Sequence, residues 1–311
     1  MPAASIAVLA LTLSACGGNN DSGGGTGTSG SVNVDGSSTV GPMTSAAAEL
    51  FRTDNPDVKI TVGESGTGGG FEKFCAGETD MNDASRPIED DEATACDKAG
   101  VTYQEMVVAN DALTVVVNKE NTWATCLTTD QLKAIWEPKS TITNWNQVDP
   151  SYPDEKLALF GPGTDSGTFD YFTAEINGEE GASRTDYSPS ENDNITVTGV
   201  EGAKGGMGYF GYSYYEQNTD KLNAVQIDSG SGCVAPSAST VQDGSYTPLA
   251  RPLFIYPSIE AGKSNAALMS FVDYYAANDA SIAEAAQFIP LSDAQRSTLD
   301  GQLSDFQSAV G

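Results

Sequence analysis

The chain has 311 residues, 39% of them hydrophobic, which is enough for two α/β domains that each have a core. Its 43 acidic residues against 15 basic ones give a formal net charge of −28, so it should repel nucleic acid and anionic lipid at long range. Histidine is absent, which excludes Ser-His-Asp and Cys-His catalytic sets, removes the commonest zinc ligand and counts against an enzyme.

The N-terminus has the pattern of an export signal. Residues 3–13 are almost all small or apolar, a length typical of a signal peptide rather than of a membrane span. The sequence Leu13-Ser14-Ala15-Cys16 resembles a bacterial lipobox, in which the cysteine is lipidated. The next residues are nearly all Gly, Ser, Thr and Asn, which predicts a flexible tether. We expect a signal peptide over 1–15 and a lipid-anchored tether over 16–30, in the periplasm or at the cell surface; the alternative is a plain secretory signal.

Apolar periodicity predicts strands and helices that alternate along the rest of the chain. The predicted strands are 32–34, 58–62, 103–108, 113–117, 157–160, 222–227 and 253–256. The predicted helices are 44–53, 71–76, 88–99, 128–136, 168–176, 266–277 and 292–306. This alternation predicts an α/β fold with largely parallel sheets. The polar stretch 177–194 predicts an exposed excursion.

Three loops rich in glycine and hydroxyl residues each follow a predicted strand and precede a predicted helix. They span residues 35–42, 63–70 and 161–168. Helix N-termini present free N–H groups and the positive end of the helix dipole, so such loops can bind an oxyanion without many cations. In any one loop, helix capping or a flexible turn explains the residues equally well. Three such loops at the carboxyl edge of a sheet predict a ligand site.

Two charged residues narrow the predicted ligand. Arg86 follows a short strand, and its guanidinium could bind an oxyanion bidentately; the alternative is a surface salt bridge. Asp165 lies in the third loop, where a carboxylate can only accept hydrogen bonds. Monohydrogen phosphate can donate one, whereas sulfate cannot and would leave the carboxylate unpaired. The pair therefore predicts phosphate.

The cysteine count predicts two disulfides. Of the five cysteines, four remain once Cys16 is assigned to the lipobox, and an even remainder is typical of an exported protein. Three connectivities are possible. We favour Cys75–Cys96 and Cys126–Cys233, because Cys75 and Cys96 are close in sequence. The chain has no Cys-x-x-Cys spacing, so no metal or redox role is expected.

Six short motifs occur in one order from about residue 32 to the C-terminus. They are Asp35-Gly36-Ser37-Ser38-Thr39-Val40, Ser65-Gly66-Thr67-Gly68, Ala84-Ser85-Arg86-Pro87-Ile88, Ser166-Gly167-Thr168, Gly206-Met207-Gly208-Tyr209 and Arg251-Pro252-Leu253-Phe254-Ile255-Tyr256. Together they resemble the PstS family, the phosphate-binding subunits of bacterial phosphate ABC transporters. The resemblance implies a periplasmic-binding-protein fold, whose two lobes close on phosphate and deliver it to a membrane permease. It implies no cofactor and no metal.

The resemblance also implies ligand residues by position. They are Ser38, Thr39 and Val40 in the first loop, Ser65 or Thr67 in the second, and Ser166, Gly167 and Thr168 in the third. The best-known members place an Asp where Arg86 stands, and an Arg four residues before the Ser of the third loop, where this chain has Pro162. Our hypothesis is that the two charges have exchanged loops, with Arg86 as the cation and Asp165 as the acceptor of the ligand's proton.

In this fold the lobes would be residues 31–109 with 252–311, and residues 110–251. Two crossings are expected near 108–111 and 250–252. Each favoured disulfide then lies within one lobe, and a bridge between lobes would oppose closure.

Three alternatives remain. The chain could be an oxyanion sensor or scavenger with no transporter. It could bind another oxyanion, such as arsenate, which matches phosphate in charge and protonation. It could be an enzyme such as a phosphatase, against which the missing histidine counts.

Overall fold

The computed structural model describes residues 28–164 and 166–311. The predicted signal peptide, Cys16, the tether up to residue 27 and Asp165 therefore lie outside the described residues. The strands are β1 (Gly30–Gly36), β2 (Val58–Val62), β3 (Met81–Ala84), β4 (Met106–Asn118), β5 (Cys126–Thr128), β6 (Ala158–Gly161), β7 (Ser188–Pro189), β8 (Gly206–Gly211), β9 (Leu222–Ala224), β10 (Gln226–Asp228), β11 (Cys233–Val234) and β12 (Ala250–Pro257).

Helices cover both ends of the strand array. They are α1 (Gly41–Arg52), α2 (Thr67–Cys75), α3 (Asp90–Ala99), α4 (Thr129–Trp136), α5 (Trp145–Val148), α6 (Gly167–Phe172), α7 (Asp193–Gly202), α8 (Tyr212–Glu216), α9 (Ala238–Gln242), α10 (Ile259–Ser264), α11 (Ala266–Ala277), α12 (Asp279–Ala285) and α13 (Asp293–Val310). A π-helical turn over Thr173–Asn177 continues α6. In the part of the chain that the structure describes, none of these helices combines the length and the apolar character that a membrane span requires.

The main sheet has parallel ends and an antiparallel middle. Its strand order is β2-β1-β3-β12-β4-β8-β6-β7, and β9 also pairs with β4. β1 is parallel to β2 and β3, and β6 is parallel to β7 and β8. β12 and β4 run antiparallel to each other and to their outer neighbours. The α/β prediction is confirmed, and the antiparallel middle is an addition to it.

Strand β4 corrects the prediction of two separate strands at 103–108 and 113–117. It runs unbroken from Met106 to Asn118, and its Asp111 pairs with Arg251 of β12. Asn110 and Asp111 interrupt the apolar pattern between the two predicted strands, yet both are buried. The backbone of Asn110 exchanges hydrogen bonds of 2.9 and 3.0 Å with Ile289, and its amide bonds to Gln295. The two segments predicted as crossings, near 108–111 and 250–252, are therefore hydrogen-bonded neighbours in β4 and β12.

The apolar core falls into two parts, one on each side of this strand pair. On one side, α1, α11 and β1 pack around Phe51, Phe271 and Tyr275, and Phe71 and Phe74 of α2 form an adjoining cluster. The other side is built around large buried aromatic side chains, namely Trp136, Trp145, Phe172, Tyr209, Phe210 and Tyr246. The strand pair therefore lies between two separately packed cores.

Both disulfides form with the favoured pairing. Cys75–Cys96 joins α2 to α3, and Cys126–Cys233 joins β5 to β11. Each bond therefore lies on one side of the strand pair.

The excursion at 177–194 is exposed along most of its length, but Arg184 anchors it. Only 5% of Arg184 is exposed. Its Nη1 donates to the carbonyls of Ile135 and Ile142, both at 2.9 Å, and its Nε pairs with Asp186 at 2.6 Å. A buried arginine with these partners was not predicted from the polar sequence.

Candidate functional site

The three predicted loops meet at one cleft, beside the place where β4 and β12 pair. The cleft has a volume of 590 Å³. Its lining includes the predicted residues Ser38, Thr39, Ser65, Thr67, Arg86 and Gly167. Thr168 lines an adjoining pocket of 280 Å³, which shares Ser38, Thr39 and Gly167 with the cleft. The structure thus brings together residues that are up to 130 positions apart in the sequence.

Among the described residues, the predicted Val40 and Ser166 line neither the cleft nor the adjoining pocket. The side chain of Val40 is fully buried in the core, and its N–H donates to the carbonyl of Ser37 at 3.2 Å. Ser166 caps α6, because its Oγ accepts from the N–H of Thr168 at 3.2 Å.

A backbone hydrogen bond to β3 holds the first loop in place. The N–H of Ser37 donates to the carbonyl of Asp83 at 2.9 Å, and the carbonyl of Ser37 accepts from Gly41 at 2.9 Å. Pro42 lies in the first turn of α1, where its missing N–H has no cost. This arrangement leaves the side chains of Ser38 and Thr39 on the cleft wall.

The second loop presents the N-terminus of α2. Gly66 has a φ of 82°, in the region that favours glycine, and its N–H donates to the carbonyl of Gly36 at 2.9 Å. The first hydrogen bond of the helix runs from Gly70 to the carbonyl of Gly66. The N–H groups of Thr67, Gly68 and Gly69 precede this bond, so they have no acceptor within the helix. All three residues line the cleft.

The hydroxyl of Ser65 is engaged by Asp35. It donates to Asp35 Oδ1, which also accepts from the N–H of Ser65 at 3.0 Å. Lys73 pairs with Asp35 Oδ2 at 2.6 Å. Burial alone would raise the pKa of Asp35, but the hydrogen bonds from Lys73 and Ser65 bring this pKa below its usual value.

The hydroxyl of Thr67 accepts a hydrogen bond, whereas that of Ser65 donates one. Its Oγ1 accepts from the N–H of Ser85 at 3.2 Å. The Oγ atoms of the two residues also lie 3.2 Å apart. Because its oxygen accepts here, the proton of Thr67 can point either to Ser85 Oγ or into the cleft.

The third loop lies against the first. A methyl group placed on Gly167 would sit 2.9 Å from Thr39 Oγ1 and 3.5 Å from Ser38 Oγ. Only glycine permits so close an approach at this position.

Arg86 reaches the cleft, but acidic neighbours hold it. Its Nη1 and Nη2 both donate to Glu92 at 2.8 Å, Nη1 also donates to the carbonyl of Pro87, and Nε lies 3.2 Å from Glu89. The hydrogen bonds to Glu92 are the main reason that the pKa of Arg86 is raised. One N–H of Nη2 is left over, on the side of Gly68.

Arg251 is a cleft residue that the sequence did not identify. Its Nε donates to Asp111 at 3.2 Å, and its Nη2 donates to Thr39 Oγ1 at 3.1 Å. The guanidinium lies 3.7 Å from the ring centroid of Tyr171. Its partners are 140 and 212 positions away, so only the fold reveals them. One indication of this residue was present in the sequence, which places an arginine in the predicted crossing near 250–252.

Several carboxylates stand near these cations. Asp170, Glu175 and Glu180 line the cleft beside Arg251. Burial and the nearby Glu180 raise the pKa of Asp170, which Arg251 partly offsets. Asp193 lines the adjoining pocket, where burial and Glu191 raise its pKa to about 6. Across residues 28–164 and 166–311, no group of three or more His, Cys, Asp and Glu side chains could hold a metal ion.

Comparisons with known proteins agree with this architecture. A family model described as a PBP superfamily domain matches residues 21–279. The chain is 47% identical to Protein SphX of Synechocystis sp., over 92% of this chain and 84% of that protein. It is 40% identical to the phosphate-binding protein PstS of Staphylococcus saprophyticus, over 95% of this chain and 91% of that protein.

The chain belongs to the PstS family, within the PBP superfamily. The crystal structure of a possible phosphate binding protein from Planctomyces limnophilus matches with a TM-score of 0.84 and 44% identity, over 90% of this chain and 99% of that chain. The family and the fold predicted from the six motifs are confirmed. PstS-family membership also identifies the chain as a transporter's substrate-binding protein and not an enzyme.

Proposed function

We propose that this protein captures inorganic phosphate outside the cytoplasm and delivers it to an ABC-type membrane permease. The observation that carries the proposal is the meeting of three hydroxyl- and glycine-rich loops with two guanidinium groups in one cleft. Such a cleft offers an oxyanion many neutral donors and two cations. It also explains how a chain of net charge −28 can hold an anion, because capture depends on local donors while distant charges are screened beyond roughly 10 Å.

The proposed ligand contacts follow the three loops. Ser38 and Thr39 serve in the first loop, and Gly167 and Thr168 in the third, while Val40 and Ser166 hold these two loops in shape. In the second loop we favour Thr67 over Ser65, because Thr67 keeps a proton to donate whereas Ser65 gives its proton to Asp35. Ser65 then acts by holding the second loop against the first.

The two charged residues keep the roles predicted for them. Arg86 supplies a cation that Glu92 orients, and it has one N–H left for the ligand. Asp165 accepts the ligand's proton, which favours phosphate over sulfate. Arsenate carries the same proton, so Asp165 would discriminate against it poorly.

The capture mechanism we propose is closure of two lobes, residues 31–109 with 252–311 and residues 110–251, about the β4–β12 pair. Both disulfides lie within single lobes under this division, so neither resists closure. A lipid on Cys16 and the tether that follows would keep the protein beside a bacterial membrane and its permease.

Calorimetric titration of the ligand-stripped protein with phosphate, sulfate and arsenate tests the function. Phosphate should bind at one site per chain, and sulfate should bind far more weakly. The Asp165→Asn variant should lose part of the preference for phosphate over sulfate. An absence of phosphate binding would contradict the proposed function, whereas an unchanged preference in Asp165→Asn would contradict only the role of Asp165.

A further inference from the structure

Arg251 lies where β4, β12, the first loop and α6 meet. It lies on β12 and pairs across the ladder with Asp111 of β4. Its side chain contacts Thr39 of the first loop and Tyr171 of α6, the helix that follows the third loop. Resting on the proposed function, we propose that Arg251 is a second cationic ligand of the bound phosphate and positions the Thr39 hydroxyl toward it.

The first argument is the number of free donors. A guanidinium has five N–H groups in a rigid plane. In Arg251, one on Nε and one on Nη2 have partners among the described residues, so two on Nη1 and one on Nη2 remain. In Arg86, a carboxylate already occupies both Nη atoms. Arg251 therefore has more donors available for an anion than the arginine that the sequence identified.

The second argument is position. Thr39 Oγ1, which accepts from Arg251, is also the atom that a methyl group on Gly167 would approach to 2.9 Å. Arg251 thus points at the place where the first and third loops touch. Because Thr39 Oγ1 accepts from Arg251, its own proton is directed elsewhere and is available to an anion in the cleft.

The third argument is preorganisation. Tyr171 supports one face of the guanidinium at 3.7 Å, and the hydroxyl of Tyr171 is fixed by a 2.7 Å bond to the carbonyl of Pro248. Only 16% of the Arg251 side chain is exposed. An arginine held in this way loses little side-chain entropy when a ligand binds.

The local charge balance requires such a cation. Asp111, Asp170 and Glu175 all lie close enough to Arg251 to interact with it electrostatically. Without the guanidinium, the neutral donors of the first loop would have to hold an anion against these carboxylates.

The competing interpretation is a purely structural ion pair between Arg251 and Asp111. Two variants separate the interpretations, because both break the same ion pair. Arg251→Gln removes the proposed ligand, whereas Asp111→Asn removes only its counter-charge. Arg52→Gln is the matched control, since Arg52 is exposed at the end of α1 and its substitution changes the net charge equally.

The experiment is calorimetric titration of the four full-length proteins with inorganic phosphate, with the thermal unfolding midpoint of each as a check on folding. Arg251→Gln should weaken phosphate binding by about 10- to 100-fold, as expected for the loss of a hydrogen bond to a charged group. Asp111→Asn should bind phosphate at least as tightly as wild type, because the guanidinium charge is then less neutralised. Arg52→Gln should match wild type.

Wild-type affinity in a folded Arg251→Gln would overturn the proposal, and so would equal weakening in Arg251→Gln and Asp111→Asn. If Arg251→Gln does not fold, Arg251→Lys replaces it. Lysine keeps the charge without the planar fork, so binding should weaken in Arg251→Lys and not in Asp111→Asn; the reverse order would overturn the proposal. No phosphate binding by wild type would instead overturn the proposed function itself.

Discussion

Hydroxyl groups in the cleft differ in whether their protons are free for a ligand. Thr39 and Thr67 each accept from a nitrogen donor, Arg251 and the backbone of Ser85 respectively. Each can therefore donate to an anion. Ser65 gives its proton to Asp35. The hydrogen-bond partner of each hydroxyl therefore decides whether that hydroxyl can donate to a ligand, more than its position in a loop does.

This distinction predicts different consequences for two substitutions in the second loop. Thr67→Val should weaken phosphate binding by about 10- to 100-fold, because it removes a hydrogen bond to a charged ligand. Ser65→Ala should mainly lower thermal stability, because it leaves Asp35 with fewer donors. Calorimetry and thermal unfolding of both variants provide the comparison. A larger loss of affinity in Ser65→Ala than in Thr67→Val would assign the ligand contact to the wrong hydroxyl.

Asp83 beneath the first loop predicts a pH dependence of stability. Its side chain is fully buried, and one oxygen accepts from Thr44 Oγ1 at 2.9 Å. Burial, with smaller contributions from Asp35 and Glu64, raises its pKa to about 8. An unfolded Asp has a pKa of about 3.9, so between these values the folded chain holds a proton that the unfolded chain releases. Asp83 therefore lowers stability as pH rises from about 4 to about 8.

The Asp83→Asn variant tests this linkage, because asparagine mimics the protonated acid and can still accept from Thr44. Its stability relative to wild type should rise by up to about 1.4 kcal/mol per pH unit between pH 5 and 8. Denaturant unfolding at pH 5, 6, 7 and 8 measures the difference. A difference that stays constant over this range would mean that Asp83 does not hold a proton in the folded state.

At the scale of elements, the contact between the first and third loops depends on Gly167. The Gly167→Ala variant places a methyl group 2.9 Å from Thr39 Oγ1, so the Thr39 side chain must turn or the loops must separate. Overpacking of this kind costs roughly 1–3 kcal/mol, and we expect phosphate binding to weaken by about 10-fold or more. Gly202→Ala is the control, because a methyl group there meets open space at the end of α7. Equal affinities in the two variants would contradict the importance of this contact.

Many elements could be predicted from periodicity, and the misses have identifiable causes. Strand 58–62 and helix 266–277 have the predicted bounds, because a regular apolar pattern faces a core in each. Within β4, Asn110 and Asp111 interrupt the apolar pattern, whereas tertiary partners satisfy them inside the sheet. The short helices α5, α9 and α10 span four to six residues, too few to show a helical period.

The residues of the candidate site also divide into those that the sequence predicted and those that it did not. The loops were predictable because hydroxyl and glycine residues recur between strand and helix. Arg251 was not, because its role depends on contacts that exist only once β12 lies beside β4. The hydrogen bonds from the Arg86 guanidinium to Glu92 were not predictable either, because Glu92 lies outside the motif at 84–88.

Loss of the Cys126–Cys233 disulfide should lower stability without changing phosphate affinity. Cys126–Cys233 closes a separation of 107 residues on one side of the β4–β12 pair. Replacing both cysteines with alanine should lower the free energy of unfolding by about 2–4 kcal/mol. Phosphate affinity should stay within about twofold of wild type, because neither cysteine lines the cleft or the adjoining pocket. A folded variant with much weaker binding would indicate that this disulfide shapes the site.

At the scale of the whole molecule, β4 and β12 connect two cores, and the segment around Ile289 adds a contact at the same place. Ile289 packs in the core around Trp136, while Phe306 of the following helix packs in the other core. The proposed closure would therefore concentrate bending at a few residues beside Asp111 and Arg251. Because the proposed ligand residues lie on both sides of this hinge, an anion between them would favour the closed arrangement.

The most direct test of the proposed phosphate site is a crystal structure of the protein grown with phosphate. We predict one phosphate ion between the first and third loops, within hydrogen-bonding distance of Thr39, Thr67 and the Arg251 guanidinium. Phosphate bound elsewhere, or a cleft that stays empty at saturating phosphate, would contradict the account.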